Sequence, residues 1–402
     1  MGDEVHQQVT GEPLRFGIIG CGRIAPFHLG ALQRIPDARV VAVADVRSER
    51  ARALAAQADA AGGDAAGGGL SHGPGQPVKV YTDYQKLLAD PEVDAVCICT
   101  PSGLHPEMGV AAAQAGKHIV VEKPMSLTLA GADQLIAAAS AYHVKLAVSF
   151  QNRFNPTIVR LHQALVAGRF GRLSHGMAAI RWRRTPEYYA SDTWRGTWAL
   201  DGGALFNQSI HDIDLLRWMM GPASRVQAVI ARRYRPLEAE DVAVAALQFQ
   251  SGALGGIEAA TTVEPQDLEE TLSIFGERGT VIVGGLALNQ IRTWRFADAA
   301  PGEEQQVQQE TAQAIRSVYG LGHLPLLADF CQAIREDRSP AVDGVQGRHA
   351  IELVLAVYRA AETGQAVEMP LQEEVEAIVA AQKQAGIFPF SPKTSPSRVH
   401  RG

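Results

Sequence analysis

Leu14-Arg-Phe-Gly-Ile-Ile-Gly20-Cys21-Gly22-Arg23-Ile24-Ala25 is a short apolar run that ends in a glycine turn. An apolar strand expected over Leu14–Ile19 would feed a helix over about Arg23–Arg34 through that turn. Gly20 makes the tight bend, Gly22 removes a Cβ where a pyrophosphate must come close, and Ala25 lets the helix pack back on the strand. The helix N-terminus then offers free amides and positive dipole to phosphate. Arg23 and Ile24 sit inside the turn and are candidate contacts to the same ligand. A second strand, Arg39–Ala44, ends at Asp45. An acid there accepts hydrogen bonds from the adenosine ribose and favours NAD over NADP. Arg47 leaves NADP open, since it can take a 2′-phosphate or stack on adenine; its other reading is a solvated first-turn residue.

The alternation continues. Strands are expected over Asp94–Cys99, His118–Val121 and Lys145–Ser149, and helices over Ser48–Ala58, Leu104–Ala115 and Thr128–Ala141. Near-continuous apolar strands separated by helices indicate a parallel sheet covered on both faces. Residues 13–150 therefore read as a doubly wound Rossmann domain. Residues 60–77 hold seven glycines and read as a flexible surface insertion. Thr100, Pro101 and His105 follow a strand, and ligands of open α/β sheets bind beyond the carboxyl ends of strands. They are candidate cofactor contacts, as are Glu122 and Lys123 in Val120-Val-Glu-Lys-Pro124.

After Gln151 the pattern changes. Arg172–Arg184, Ser224–Tyr234, Val242–Phe249, Leu254–Thr262 and Leu268–Phe275 read as strands of a mostly antiparallel, open-faced sheet. A helix is expected over Leu205–Met220, stopped by Gly221-Pro222, and further helices over Pro325–Arg335, Gly347–Glu362 and Glu373–Gln384. Residues 151–390 form the expected substrate-binding and oligomerisation domain, of α+β class. Residues 1–12 and 391–402 read as disordered termini.

Composition excludes several classes. The 402 residues carry a net charge of −6, with 46% hydrophobic and 20% charged residues, as a soluble globular protein does. No basic tract suits nucleic acid, and no run of about 18 apolar residues suits a membrane. The polar start is not a secretory signal. Cys21, Cys97, Cys99 and Cys331 lack metal spacing; Cys97 and Cys99, two apart in an apolar strand, read as small buried side chains, and a reducing cytoplasm fits.

Two further segments bear on chemistry. Residues 181–198 hold three of the five tryptophans and four arginines. Guanidinium groups bind phosphates and carboxylates, and aromatic rings stack on sugars and bases. Tyr189, Trp194 and Arg195 are the candidate contacts to an anionic substrate; an interface or packing loop is the other reading. Arg153, at the start of the second domain, is another candidate for an anionic group, and Tyr319 in Tyr319-Gly-Leu-Gly-His323 for closing the cleft.

Taken together, Gly20-Cys-Gly-Arg-Ile-Ala25, Asp45, Cys99-Thr-Pro-Ser-Gly-Leu-His105, Gly116-Lys-His-Ile-Val-Val-Glu-Lys-Pro124 and Gly202-Gly-Ala-Leu-Phe-Asn-Gln-Ser-Ile-His-Asp-Ile-Asp214 resemble the glucose–fructose oxidoreductase / inositol dehydrogenase (Gfo/Idh/MocA) family over roughly residues 13–365. The resemblance implies a bound nicotinamide cofactor, a sugar or polyol substrate, and a homodimer or homotetramer formed through the open sheet face; from the residue spacing no metal is expected. Within the family's pattern Lys123 matches the Glu-Lys-Pro lysine and His211 the histidine of Asp-x-x-x-His. This chain has Asn207 where that pattern has Asp. The Asn, the segment Gly20–His28 and the aromatic-basic stretch look like the branch of UDP-N-acetylglucosaminuronate 3-dehydrogenases.

Oxidising a secondary alcohol needs a base for the hydroxyl proton as well as a hydride acceptor. A lysine beside a positive nicotinamide ring has its pKa lowered by like charge and burial, which suits Lys123 to that role. Asn207 and His211 would share one helix face at i, i+4, and Asn orients an imidazole without stabilising its charge. The leading expectation is an NAD-dependent dehydrogenase of an anionic sugar. A redox glycosidase, an inositol-type polyol dehydrogenase and a non-catalytic NAD(P)-binding regulator share the fold.

Overall fold

A computed structural model describes residues 12–61, 77–312 and 320–371. Tyr319, the helix expected over Glu373–Gln384, most of the glycine-rich insertion, the tail at 391–402 and all but the last residue of the N-terminal segment lie outside the described residues. The first sheet comprises β1 (Leu14–Ile19), β2 (Ala38–Ala44), β3 (Lys79–Tyr81), β4 (Ala95–Ile98), β5 (His118–Val121) and β6 (Leu146–Val148). All pairings are parallel, in the order β3-β2-β1-β4-β5-β6. Strands β4, β5 and β6 are buried almost end to end, since helices cover both faces, while the edge strand β3 is largely exposed. The order reverses between β1 and β4, so the chain leaves the two strands in opposite directions and opens a crevice at their carboxyl ends.

The second sheet comprises β7 (Leu173–Arg181), β8 (Ala223–Ala231), β9 (Val242–Phe249), β10 (Leu254–Ala260), β11 (Glu269–Gly276), β12 (Gly279–Gly284), β13 (Gln290–Phe296) and β14 (Val367–Glu368). The order is β13-β12-β11-β7-β10-β9-β8-β14, antiparallel except between β7 and β10. Helices Ile210–Met220 and Gly344–Thr363 pack on one face. Among the described residues the other face is uncovered, and along β9 exposed Val244, Ala246 and Gln248 alternate with buried neighbours. The α/β class and the two sheet types match the sequence reading. All four cysteines are buried and unbridged.

The helix expected over Leu205–Met220 is two helices, Ala204–Asn207 and Ile210–Met220. The amides of Gln208 and Ser209 both turn back to the Ala204 carbonyl, the second across five residues, which widens the last turn and ends the first helix. Gly221 stops the second with φ 86°. The segment after β4 meets the second domain where the Gly103 amide donates to the Leu200 carbonyl; a Cβ at Gly103 would stand 2.0 Å from the Ala199 oxygen.

Candidate functional site

A cavity of roughly 1160 Å³ opens at the crevice beyond β1 and β4 and runs to the helix break at 207–210. Gly20, with φ 90°, lies so close to the Cys99–Thr100 backbone that a Cβ would meet it at 2.8 Å. At Gly22 a Cβ would meet nothing within 4 Å, leaving the turn open for a bulky ligand group. Helix Ala25–Leu32 follows with no side-chain cap on its N-terminus. Its uncapped amides and the bare turn fit a pyrophosphate. Arg23 and Ile24 line the wall, while Ala25 is fully buried and packs the helix. Asp45 is held by two amides, Cys21 N to Oδ2 and Arg47 N to Oδ1, each at 2.8 Å. Each oxygen keeps a lone pair for a ribose hydroxyl. Arg47, Thr100, Pro101 and Glu122 also reach the cavity.

Lys123 follows β5 and its amine faces the cavity. Nζ donates to the main-chain carbonyl of Asn207 at 2.7 Å. The helix break turns that carbonyl outward. Burial pulls the Lys123 pKa below the ordinary 10.5; Glu122 and Asp201 push the other way, and Arg184 adds to the lowering. Glu122 accepts from His28 Nε2 at 2.7 Å. Burial favours its neutral form, yet the contact with His28 outweighs that and holds its pKa well down. His211 opens the second helix and is 7% exposed. Burial, then the charge of Lys123, holds its pKa well below 6.5, so the ring is neutral. Gln151 Nε2 lies 3.4 Å from its Nε2, and Phe150 meets the ring edge-on.

Four sequence expectations are corrected by these placements. Asn207 does not orient His211: its side chain bonds Asp201 Oδ1 and accepts from Gln208 Nε2 at 3.0 Å, because the break separates 207 from 211. His105 does not face the cavity. It is 1% exposed and braces Thr100 and Pro124 through their carbonyls, both at 2.8 Å. Arg153 is not free for an anion. It grips Asp214 at 2.6 and 2.7 Å, stacks on Trp218, and is buried with its partner. Tyr189 points into the core, where its hydroxyl meets Thr261, and its neighbour Tyr188 takes the cavity wall.

Tyr188 lies among three guanidinium groups. Arg195 sits 4.5 Å, Arg184 5.4 Å and Arg23 5.7 Å from its ring centroid. Arg195 also donates to the Tyr188 hydroxyl at 2.7 Å and stacks on Trp194. Arg184 pairs with Asp267 at 3.1 Å. This cationic, aromatic wall stands between the glycine turn and Lys123, where it can take an anionic group. Asp201, Gln151 and Glu270 were not singled out in the sequence. Burial lifts Asp201 to about 6, and burial with Asp212 nearby lifts Glu270 well above the ordinary range. The signal for Asp201 was an acid before Gly202-Gly203 and for Glu270 a polar residue in an alternating strand; Gln151 carried none.

Comparisons with known proteins agree with this geometry. Residues 14–150 match the family model described as an oxidoreductase family with an NAD-binding Rossmann fold, and residues 163–369 its C-terminal alpha/beta domain. The chain is 28% identical over 363 residues to the myo-inositol 2-dehydrogenase of Thermotoga maritima, covering 89% of this chain and 98% of that enzyme. It is 28% identical over 373 residues to the 1,5-anhydro-D-fructose reductase of Ensifer adhaerens, covering 88% and 98%. Among solved structures, the WlbA dehydrogenase of Bordetella pertussis in complex with NADH and UDP-GlcNAcA is 36% identical, with a TM-score of 0.81 and coverage of 90% and 100%.

Proposed function

The chain belongs to the oxidoreductase family that joins an NAD-binding Rossmann fold to a C-terminal alpha/beta domain, and on that premise we propose that it oxidises a secondary alcohol of an anionic, nucleotide-linked sugar acid, with UDP-N-acetylglucosaminuronate as the first candidate. The observation that carries this reading is one cavity lined by the glycine turn, by Arg184, Arg195 and Tyr188, and by Lys123 and His211. A pyrophosphate-linked uronate brings negative charge at both ends, which a cationic wall recognises and a neutral polyol does not use. The Bordetella structure, with the same two ligand types, supports the choice.

Bound NAD supplies the hydride acceptor. Lys123, in its neutral form, donates one N–H to the Asn207 carbonyl and accepts the hydroxyl proton on its lone pair. Neutral His211 hydrogen-bonds the reacting oxygen and fixes its orientation. Arg184 and Arg195 hold the charged part of the substrate, so that the reacting carbon stays beside Lys123. The same reading places self-association on the uncovered sheet face, where Met177, Val229, Val244 and Leu254 stand 42–73% exposed. Incubation with NAD and either UDP-N-acetylglucosaminuronate or myo-inositol, followed by absorbance of the reduced cofactor, tests it. The expected result is turnover of the nucleotide sugar with a kcat/KM at least about 100-fold above that for the polyol. Preference for myo-inositol overturns it.

A further inference from the structure

We propose that Asp192, in the C-terminal alpha/beta domain, decides between NAD and NADP by pairing with the two arginines that a 2′-phosphate needs. The inference rests on the reading that a nicotinamide dinucleotide lies in the cavity, with its adenosine ribose at Asp45.

Beyond Asp45 the chain enters helix Ser48–Ala61, and Arg47 and Arg50 both reach the cavity rim. An arginine just past the ribose acid is the group that accommodates a 2′-phosphate. Two forked cations at one rim form a strong phosphate site when free. Here they are engaged. Arg50 Nη2 donates to Asp192 Oδ1 at 3.1 Å, across 142 residues of chain, and Arg47 Nη2 lies 3.7 Å from the same oxygen. Arg195 Nε lies 3.9 Å from the other carboxylate oxygen. The Asp192 side chain is only 10% exposed, so water screens it little.

Asp192 therefore does two things at the ribose. It takes one hydrogen bond from Arg50 and offsets the charge of both Arg50 and Arg47, and it sets a second carboxylate on the wall of the cavity that Asp45 also lines. A 2′-phosphate entering there must displace one acid from its partners and approach another. A ribose bearing plain hydroxyls meets neither obstacle. Discrimination thus comes from both domains, and changing Asp45 alone leaves the arginines paired with Asp192.

The experiment measures binding of 5′-AMP and of adenosine 2′,5′-diphosphate to the full chain by titration calorimetry. These two ligands differ only by the 2′-phosphate. Wild type, Asp45→Ser, Asp192→Asn and the double variant are compared, with Asp192→Glu as a charge-retaining control. Asp192→Asn is expected to shift the affinity ratio about tenfold toward the diphosphate, as relief of like-charge contact predicts. The double variant is expected to exceed the product of the two single shifts, and Asp192→Glu to keep the wild-type preference. A ratio in Asp192→Asn within twofold of wild type, or full conversion by Asp45→Ser alone, overturns the inference. An Asp192→Asn protein that does not fold moves the decision to Arg50→Gln, for which an unchanged ratio supports an occupied arginine and a further loss of diphosphate binding overturns it. Failure of wild type to bind 5′-AMP overturns the nucleotide site itself and this inference with it.

Discussion

Replacing Lys123 by Met isolates the proposed base. Met keeps much of the alkyl stem and removes the amine that faces the Asn207 carbonyl at 2.7 Å. Leaving that carbonyl without its donor costs about 1–3 kcal/mol. Relief of the enclosed amine, whose burial already drags its pKa down, offsets much of this. The folded state should survive with a small change in Tm. Turnover should fall by about 10²–10⁴-fold, the usual yield of a positioned acid or base, or ~2.7–5.4 kcal/mol of barrier. The sign of the pH dependence follows from the same amine. Below its pKa Lys123 is protonated and cannot accept a proton, so oxidation rises with pH along a limb centred below 10.5. In the variant that limb is absent. His211, freed of the neighbouring charge, moves up toward its ordinary value. Initial rates across pH, with NAD affinity measured separately by calorimetry, read all three effects. A variant within tenfold of wild-type kcat that keeps the same limb refutes the assignment of the base.

Three further outcomes are expected. Gly22→Ala should leave the Tm near that of wild type and weaken NAD binding by about tenfold or more, whereas Gly20→Ala should destabilise by about 1–3 kcal/mol because it strains a positive-φ position against backbone; similar thermal melts for both would contradict this. Arg153→Ala should destabilise by about 3–5 kcal/mol, because it strands Asp214 in the core, and should leave KM for an anionic substrate unmoved; a stable variant with raised KM would return Arg153 to the substrate. Asp201, raised from 3.8 to about 6, contributes stability at low pH that is lost as pH climbs through that window. Asp201→Asn should therefore gain on wild type in chemical denaturation by up to ~3 kcal/mol between pH 4 and pH 7, and a constant gap would count against it.

What the sequence made legible was whatever depends on local pattern. The strand–glycine–helix turn, the acid ending β2 and the Glu-Lys-Pro segment all occupy the places that their spacing suggests, since backbone sterics and strand periodicity decide them. Side-chain direction at the second half of the site was not legible. Tyr188 and Tyr189 are adjacent and chemically alike, and only packing against Thr261 decides which one turns inward. Arg153 looked free because its partner Asp214 lies 61 residues away. The split of the helix at 208–209 escaped notice because no glycine or proline marks it. With it went the Asn207 carbonyl, a main-chain group that no side-chain pattern advertises.

That carbonyl has an evolutionary consequence. Every amino acid carries one, so the anchor of Lys123 survives any change of side chain at position 207 that preserves the backbone path. The residue there is free to drift between amide and acid, retuning its tie to Asp201 while the amine keeps its seat. A site built this way can explore new substrates at 207 without first surrendering its base.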